Sequence, residues 1–172
     1  MNSSSISGYI EEYGKDVYSF CVYLTRNRED AEDLYQQTFL TALSKPDDAV
    51  TGNPKSFLIS IAANHWRNER RKRIWRNEKA GIVHFGEGDA DAAADLRPNA
   101  EEDFIKNDEI MALRENVKKL ADKYRVTVLM FYMEEMSLKE IASALHVPVG
   151  TVKSRLNKAK SILKEMMADY ER

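Results

Sequence analysis

The chain has 172 residues, of which 43% are hydrophobic and 31% are charged, and its formal net charge is -2 at pH 7. This balance excludes a uniformly basic nucleic-acid binder, although it allows basic and acidic segments to be segregated along the chain. The single cysteine, Cys21, excludes a disulfide framework and a multi-cysteine zinc site, and it favours the reducing cytoplasm. No apolar run approaches the roughly 20 residues of a membrane span, so we expect neither secretion nor membrane insertion.

Three helices are predicted in the N-terminal half. Apolar residues recur every three or four positions over residues 6–24 and again over residues 27–43, which is the period of one helical face. Asn27 is a suitable N-cap for the second of these helices. Pro54 favours the start of a third helix, whose apolar stripe gives way to a basic run over residues 67–73. The third helix is therefore apolar at its beginning and basic at its end.

Residues 79–106 show no helical periodicity and are rich in glycine, alanine and aspartate, with Pro98 near their end. Such a segment cannot bury enough apolar surface to form a core, so it predicts an acidic, flexible tether. We accordingly expect a first domain over residues 1–78 and a second domain over residues 107–172.

Four helices are predicted after the tether. Apolar periodicity marks one helix that ends near Leu120 and another over residues 126–133. Ser137 has the spacing to Glu140 that is typical of a capping box, which predicts a short helix there. The last helix begins at Pro148 and runs to about residue 167. Because no strand pattern occurs in the sequence, the predicted fold is all-α, with two small helical domains.

The last two predicted helices, joined by a turn at His146, have the lengths and spacing of a helix-turn-helix. The final helix would bury a stripe that contains Val152 and Leu156. Its other faces carry side chains that can reach bases or phosphates, namely Thr151, Lys153, Ser154, Arg155, Asn157 and Lys158. From the charge pattern alone, a solvated helix in an ordinary bundle is an equal alternative.

Three motifs indicate a family. Residues 148–156 (PVGTVKSRL) closely resemble region 4 of the extracytoplasmic-function (ECF) sigma factors of the bacterial sigma-70 family. Residues 30–39 (DAEDLYQQTF) resemble the region 2 signature of the same family. Residues 57–64 (FLISIAAN), followed by Arg70 and Arg71, resemble its promoter-melting helix. The resemblance implies an RNA polymerase sigma factor with an all-α region 2 and an all-α region 4.

The resemblance also implies two binding surfaces on the first domain. The residues implied for docking on core RNA polymerase are Asp30, Glu32, Asp33, Gln36 and Gln37. The helix macrodipole offers an alternative explanation for acidic residues near a helix start. The residues implied for holding the single-stranded −10 element are Asn64, Arg67, Asn68, Arg70 and Arg71. Trp66 and Trp75 lie among the basic residues and predict base stacking, although either could instead be a core residue.

On the second domain, the resemblance implies that the six polar residues of the final helix read the duplex −35 element. The implied partners are core RNA polymerase, promoter DNA and an anti-sigma factor, and the implied role is transcription initiation at a stress or envelope-response regulon. We expect no cofactor, no metal and no catalysis. His65, His84 and His146 lack metal-ligand spacing, and Asp89 and Asp91 only faintly echo a calcium loop.

Two other classes of protein fit the sequence less well. A stand-alone helix-turn-helix regulator normally dimerises to place two recognition helices about 34 Å apart, and no dimerisation or ligand-sensing domain is evident. It would also leave the basic and aromatic segment of the third helix without a purpose. An enzyme would need a phosphate loop, a nucleophile elbow or a metal motif, and the sequence contains none of these.

Overall fold

The computed structural model describes residues 3–81 and 108–170, and the chain is helical throughout these two ranges, without a strand. The first range contains three α-helices and one 3-10 turn: α1 (Ser3–Thr25), α2 (Arg28–Ser44), the turn Asp47–Ala49, and α3 (Pro54–Lys79). The second range contains α4 (Asp108–Lys119), α5 (Asp122–Val128), a π-helical turn (Leu129–Met133), α6 (Leu138–Leu145) and α7 (Val149–Tyr170). The predicted all-α class is confirmed.

Most of the predicted tether, together with His84, Asp89 and Asp91, lies outside the described residues. The described end of α3 falls at Lys79, one residue beyond the predicted limit of the first domain. No helix in the described ranges is both long and apolar enough to cross a membrane. The domain limits themselves stay predictions.

The helix starts follow from short-range hydrogen bonds that the sequence predicts. Asn27 Oδ1 accepts the Asp30 N–H at 3.1 Å at the start of α2. At the start of α6, Ser137 Oγ accepts the Glu140 N–H at 3.1 Å, and Glu140 Oε2 accepts the Ser137 N–H at 2.7 Å. Each cap satisfies amides that the helix cannot satisfy itself, and such a cap stabilises a helix by about 1 kcal/mol.

The first three helices pack around apolar side chains that recur at helical spacing. On α1 these are Val17, Phe20 and Leu24, all fully buried, and Cys21 is buried among them. Burial raises the pKa of the Cys21 thiol to about 12, so this cysteine behaves as a small apolar residue. The buried residues of α3 are confined to its first half, which explains why its second half projects basic side chains into solvent.

The last helices form the helix-turn-helix that the sequence predicts. Ile141 and Leu145 of α6 pack with Val152 and Leu156 of α7, and all four are buried. His146 ends α6 in the left-handed conformation, with φ 55° and ψ 44°. After this turn α7 packs on α6 with one face and leaves another face in solvent.

The two halves of the chain pack against each other. Helix α3 contacts α6, and α1 contacts both α5 and the π-helical turn. The buried side chains of both halves consequently form one continuous cluster. The largest fully buried side chain is that of Arg125, whose donors are described below.

The left-handed turn at His146 yields a stability prediction. The left-handed conformation costs a residue with a Cβ about 1–2 kcal/mol, whereas glycine adopts it freely. Glycine also gains freedom in the unfolded chain, which offsets about 0.4–1 kcal/mol of this benefit. We expect His146→Gly to raise the free energy of unfolding by about 0.5–1 kcal/mol in urea denaturation.

The matched control is the same replacement at Ser143, an exposed residue within α6. Ser143→Gly should lower the free energy of unfolding by about 0.5 kcal/mol, because glycine is a poorer helix former than serine. Equal losses at the two positions would contradict the role assigned to the turn.

Candidate nucleic-acid interface

The solvent face of α7 carries the residues predicted to read duplex DNA. Lys153, Ser154, Asn157 and Lys158 are exposed, and Thr151 and Arg155 are half-buried. The opposite face, with Val152, Leu156 and Ala159, is buried against the rest of the helix-turn-helix. All six predicted residues thus lie in the first turns of a helix with one free face, which is the geometry that fits a major groove.

The second half of α3 carries a separate basic face. Asn64 and Arg67 are half-buried, whereas Asn68 and Arg71 are exposed. Residues 64, 67, 68 and 71 are three or four positions apart, so they share one side of the helix. Burial, followed by the charges of Arg71 and Arg155, lowers the pKa of the Arg67 guanidinium. Arg155 of α7 therefore lies close enough to Arg67 of α3 for the two cations to interact.

Arg70 points to another neighbour. Its Nε donates to Asp122 Oδ2 at 2.7 Å, and its Nη2 lies 2.6 Å from the same oxygen. Both side chains are partly buried, at 25% and 30% exposure. Arg70 is thus held by α5, while its predicted companion Arg71 projects into solvent.

The two tryptophans of α3 differ. Trp66 is 7% exposed and belongs to the core, so the prediction that it stacks on bases is wrong. Trp66 lies one turn after Ala62 and two turns after Ile59 on the same face of α3. Both of these residues are also buried. Trp75 is 57% exposed, and Lys79 Nζ lies 3.9 Å from its ring centroid. Only Trp75 presents an aromatic ring to solvent beside the basic residues.

The predicted polymerase-docking residues lie on α2. Glu32, Asp33, Gln36 and Gln37 are exposed, and Asp30 is half-buried. Asp30 accepts hydrogen bonds from Arg73 Nη2 at 3.3 Å on both carboxylate oxygens, and Arg28 Nε donates to Glu32 at 3.2 Å. The predicted docking set lacks Leu40, which is 66% exposed one turn beyond the glutamines. Leu40 could have been found from the sequence, because its apolar side chain falls outside the buried stripe of α2.

A cleft of about 140 Å³ lies where α2, α3 and α5 meet. Its lining combines predicted docking residues with predicted DNA-binding residues and a buried cation, including Asp30, Asp33, Gln37, Arg70 and Arg125. The structure therefore brings together side chains to which the sequence assigns different partners.

The two halves of the chain match two models of one protein family. The family model of Sigma-70 region 2 matches residues 9–76, and that of Sigma-70 region 4 matches residues 110–163, which is more than two thirds of the chain in total. The chain belongs to the ECF group of the sigma-70 family. As a sigma factor it is a transcription initiation factor.

The similarity extends over nearly the whole chain. The ECF RNA polymerase sigma factor SigW of Bacillus subtilis is 27% identical over 98% of this chain and 91% of its own length. SigM of the same organism is 26% identical over 94% of each chain. Among solved structures, the sigma factor RpoE of Bartonella quintana, in complex with the anti-sigma factor NepR, has a TM-score of 0.72 at 22% identity, covering 94% of this chain and 97% of that one. CnrH, in complex with the cytosolic domain of CnrY, has a TM-score of 0.63 at 19% identity, covering 98% of this chain and 90% of that one.

Arg125 of region 4 makes several polar contacts at the boundary between the two regions. It is 1% exposed, and its Nε and Nη2 donate to the Leu24 carbonyl of region 2 at 3.2 and 2.9 Å. Its Nη1 donates to the Leu120 carbonyl at 2.7 Å, and its guanidinium lies 5.7 Å from the Trp66 ring centroid. Burial, followed by the charge of Arg26, lowers the pKa of the guanidinium to about 10. The guanidinium nevertheless keeps its proton at neutral pH, so a full charge is buried between the regions.

Glu134 is a second buried ionisable group between the regions. Its side chain is 2% exposed, and Lys55 Nζ of region 2 lies 3.5 Å from its Oε2. Within the described ranges, Oε2 accepts no hydrogen bond. Burial is the main cause that raises the pKa of the Glu134 carboxyl to about 7; within this net shift the Lys55 charge lowers the pKa and the Asp16 charge raises it. Lys55 Nζ also lies 3.7 Å from Asp16 Oδ2, so one ammonium group is shared by two carboxylates.

The raised pKa of Glu134 predicts a pH dependence of stability. Between about pH 4.5 and pH 7 the folded protein keeps a proton that the unfolded chain releases, so the free energy of unfolding falls as the pH rises through this window. Above about pH 7 this decrease ends, because both states are then ionised. The total loss is up to about 3 kcal/mol, at about 1.4 kcal/mol per pKa unit.

The measurement is urea denaturation at pH 5 and pH 8. Glu134→Gln should remove most of the difference in unfolding free energy between the two pH values. Its neighbour Glu135 is exposed, so Glu135→Gln should leave the wild-type difference in place. If both variants kept that difference, the buried carboxyl would not be its source.

Proposed function

We propose that this sigma factor docks on core RNA polymerase through α2, reads a duplex −35 element with α7, and opens and holds a single-stranded −10 element with the second half of α3. The observation that carries the proposal is the difference in chemistry between the exposed side chains of three helices: basic and amide groups on α3 and α7, and carboxylates and glutamines on α2. The two DNA-binding surfaces thus have different partners in the same promoter, one of them duplex and the other melted. Polymerase and promoter meet in the cytoplasm, where we place this activity.

Helix α2 suits a basic protein partner. Asp33 and the two glutamines are exposed, and they can form charge-assisted and neutral hydrogen bonds with a partner helix. Leu40 adds an apolar contact at 66% exposure on the same helix. An apolar anchor beside polar groups is the usual anatomy of a specific protein interface.

Helix α7 suits the major groove. Asn157 has the amide that can pair with an adenine edge in two hydrogen bonds, while Lys153 and Lys158 can contact guanine or phosphates. A good base contact discriminates by about 1–3 kcal/mol, whereas a phosphate contact contributes affinity without sequence preference. The mixture of amide, hydroxyl and cationic groups on one exposed face supports base reading over simple phosphate binding.

Helix α3 suits a melted strand. Arg71 and Asn68 are exposed for phosphate and base contacts, and Trp75 presents its ring a turn further on. Unstacking a base costs a few kcal/mol, and each base that stacks on protein returns about 1–3 kcal/mol. A cationic helix with one exposed tryptophan can therefore stabilise an opened strand.

Control by an anti-sigma factor is part of the proposal. The solved structures of RpoE and CnrH are complexes, with the anti-sigma factor NepR and with the cytosolic domain of CnrY respectively. The likeness of this chain to both extends over more than nine tenths of its length. We infer that an anti-sigma factor holds this protein inactive until a stress or envelope signal releases it.

Asn157 tests base reading by α7. We expect Asn157→Ala to relax the preference at one position of the −35 element, at a cost of about 1–3 kcal/mol for the preferred base. The measurement is transcription in vitro with core polymerase on a set of templates substituted across the −35 element. Lys164→Ala, two turns further along the same helix, should leave every base preference unchanged. A uniform loss for all templates after Asn157→Ala would indicate a phosphate contact instead.

Arg71 tests strand opening by α3. Arg71→Ala should impair transcription from a duplex promoter far more than from a template already mismatched across the −10 element, because the mismatch removes the melting step. Permanganate footprinting on both templates measures the open strand. Lys72→Ala removes the same charge from the next residue, which pairs with Glu69 at 3.1 Å, and should show a smaller difference between templates. Equal defects on both templates would make α3 a general phosphate clamp.

A further inference from the structure

Tyr132 projects from the π-helical turn of region 4 into solvent. Its neighbours Phe131 and Met133 pack against the core, whereas Tyr132 is 50% exposed. A hydrogen bond from the Glu134 N–H to the Leu129 carbonyl, at 3.1 Å, closes the turn over five residues. The Phe131 ring meets the Tyr132 ring edge-on, with the two centroids 4.9 Å apart. The turn therefore holds an exposed aromatic ring at a fixed place, and π-helical turns are frequent at functional sites.

Lys160 of α7 lies beside this ring. Its Nζ is 5.7 Å from the Tyr132 ring centroid, which is within the range of a cation–π contact. Lys160 is exposed and pairs with no carboxylate in the described ranges, and the Tyr132 hydroxyl makes no hydrogen bond to the same residues. An ammonium group and a hydroxyl donor thus share one patch of surface. Both can donate to the oxygens of a phosphate.

The pair lies on the side of α7 that is predicted to read DNA. Lys160 follows Asn157 by three residues and Lys153 by seven, so the three side chains share one side of the helix, and all three are exposed. Lys160 is only about 4.5 Å further along the helix axis than Asn157. Base-reading residues are flanked by residues that contact the phosphates of the same duplex. The Tyr132 and Lys160 pair has the position and the chemistry of such a flanking contact.

We propose that Tyr132 and Lys160 together bind one phosphate of the DNA backbone beside the −35 element. The Lys160 ammonium supplies the charge, the Tyr132 hydroxyl donates a hydrogen bond, and the Tyr132 ring holds the lysine side chain in place. Binding of duplex DNA by region 4 rests on the proposed function, whereas the contact between the two side chains does not. Neither residue belongs to the set predicted from the sequence to read the −35 element.

The experiment measures how the holoenzyme, formed from the full chain and core polymerase, binds a short fluorescein-labelled duplex, by anisotropy. The duplex carries the preferred −35 element from the Asn157 experiment and its flanks, without a −10 element, so strand opening does not contribute. A set of such duplexes replaces one phosphate at a time with an uncharged methylphosphonate. We expect the wild-type protein to lose affinity at several phosphates, and Lys160→Ala to become insensitive at one of them.

Salt dependence separates the contributions of the two side chains. Between roughly 50 and 200 mM salt, Lys160→Ala should lower the slope of log affinity against log salt by about 1, because one phosphate is no longer neutralised. Tyr132→Phe keeps the ring and loses the hydroxyl, so it should weaken binding about threefold and leave the slope unchanged. Tyr132→Ala also releases the lysine side chain and should weaken binding about tenfold. In the Lys160→Ala background its effect should be smaller, because both residues act on one phosphate.

A second lysine and tyrosine pair of region 4 is the matched control. On α5, Lys123 Nζ lies 5.1 Å from the Tyr124 ring centroid, which resembles the contact between Lys160 and Tyr132. Lys123→Ala and Tyr124→Phe should leave the affinity, the salt slope and the profile of sensitive phosphates unchanged. Circular dichroism should show that all variants remain folded.

Two results would overturn the phosphate site. One is wild-type affinity of the folded Lys160→Ala and Tyr132→Phe proteins, and the other is sensitivity of Lys160→Ala at every phosphate at which the wild-type protein is sensitive. A changed base preference in Lys160→Ala would make this residue a base contact and would also contradict the proposal. The Asn157 experiment decides the proposed function independently, because it measures base preference and leaves Tyr132 and Lys160 in place.

Discussion

The structure depends on how the buried guanidinium of Arg125 is satisfied. A fully buried cation is costly unless its N–H groups find acceptors, and here the acceptors come from three places: the end of α1, the end of α4 and the Asp122 carboxylate. One acceptor belongs to region 2 and two belong to region 4. Because separation of the regions would leave Nε without its acceptor, water or a rearranged side chain would have to replace the Leu24 carbonyl in a separated state. The Arg125 side chain therefore satisfies carbonyl groups at the ends of α1 and α4 and, by the same hydrogen bonds, joins region 2 to region 4.

This linkage divides the functional residues into those that are available and those that are covered. The outer face of α7 and most of the outer face of α2 are open to solvent in the packed arrangement. On helix α3 the predicted DNA-binding residues differ in availability. Arg71 is exposed, whereas Arg70 is held by Asp122. A partner that needs α2 alone can bind the packed molecule. A partner that needs Arg70 competes with region 4 for it.

Features that depend on residues close in the sequence were predictable, whereas contacts between residues distant in the sequence were not. Helix starts at Asn27 and Ser137 were predictable because the capping hydrogen bonds span only three residues. The burial of Trp66 was within reach as well, since it continues the stripe of Ile59 and Ala62, but the basic residues around it favoured a different interpretation. Neither the Arg125 contact with Leu24 nor the Lys55 contact with Glu134 could be predicted, because each joins residues far apart in the sequence. The same is true of Asp122, whose role depends on how the two regions pack.

The buried ionisable groups lower the free-energy cost of separating the two regions. The apolar contacts between α3 and α6 favour closure, and burial of apolar surface alone would make the two regions a single permanent core. Arg125 and Glu134 oppose this, because burial shifts the pKa of each toward its uncharged form, downward for the arginine and upward for the glutamate. Opening would hydrate both groups and recover that cost, and it would also relieve the proximity of Arg67 and Arg155. Burial of apolar surface thus favours packing of the two regions, and burial of the ionisable groups opposes it. A partner that separated the regions would need to supply only the difference between these two free energies.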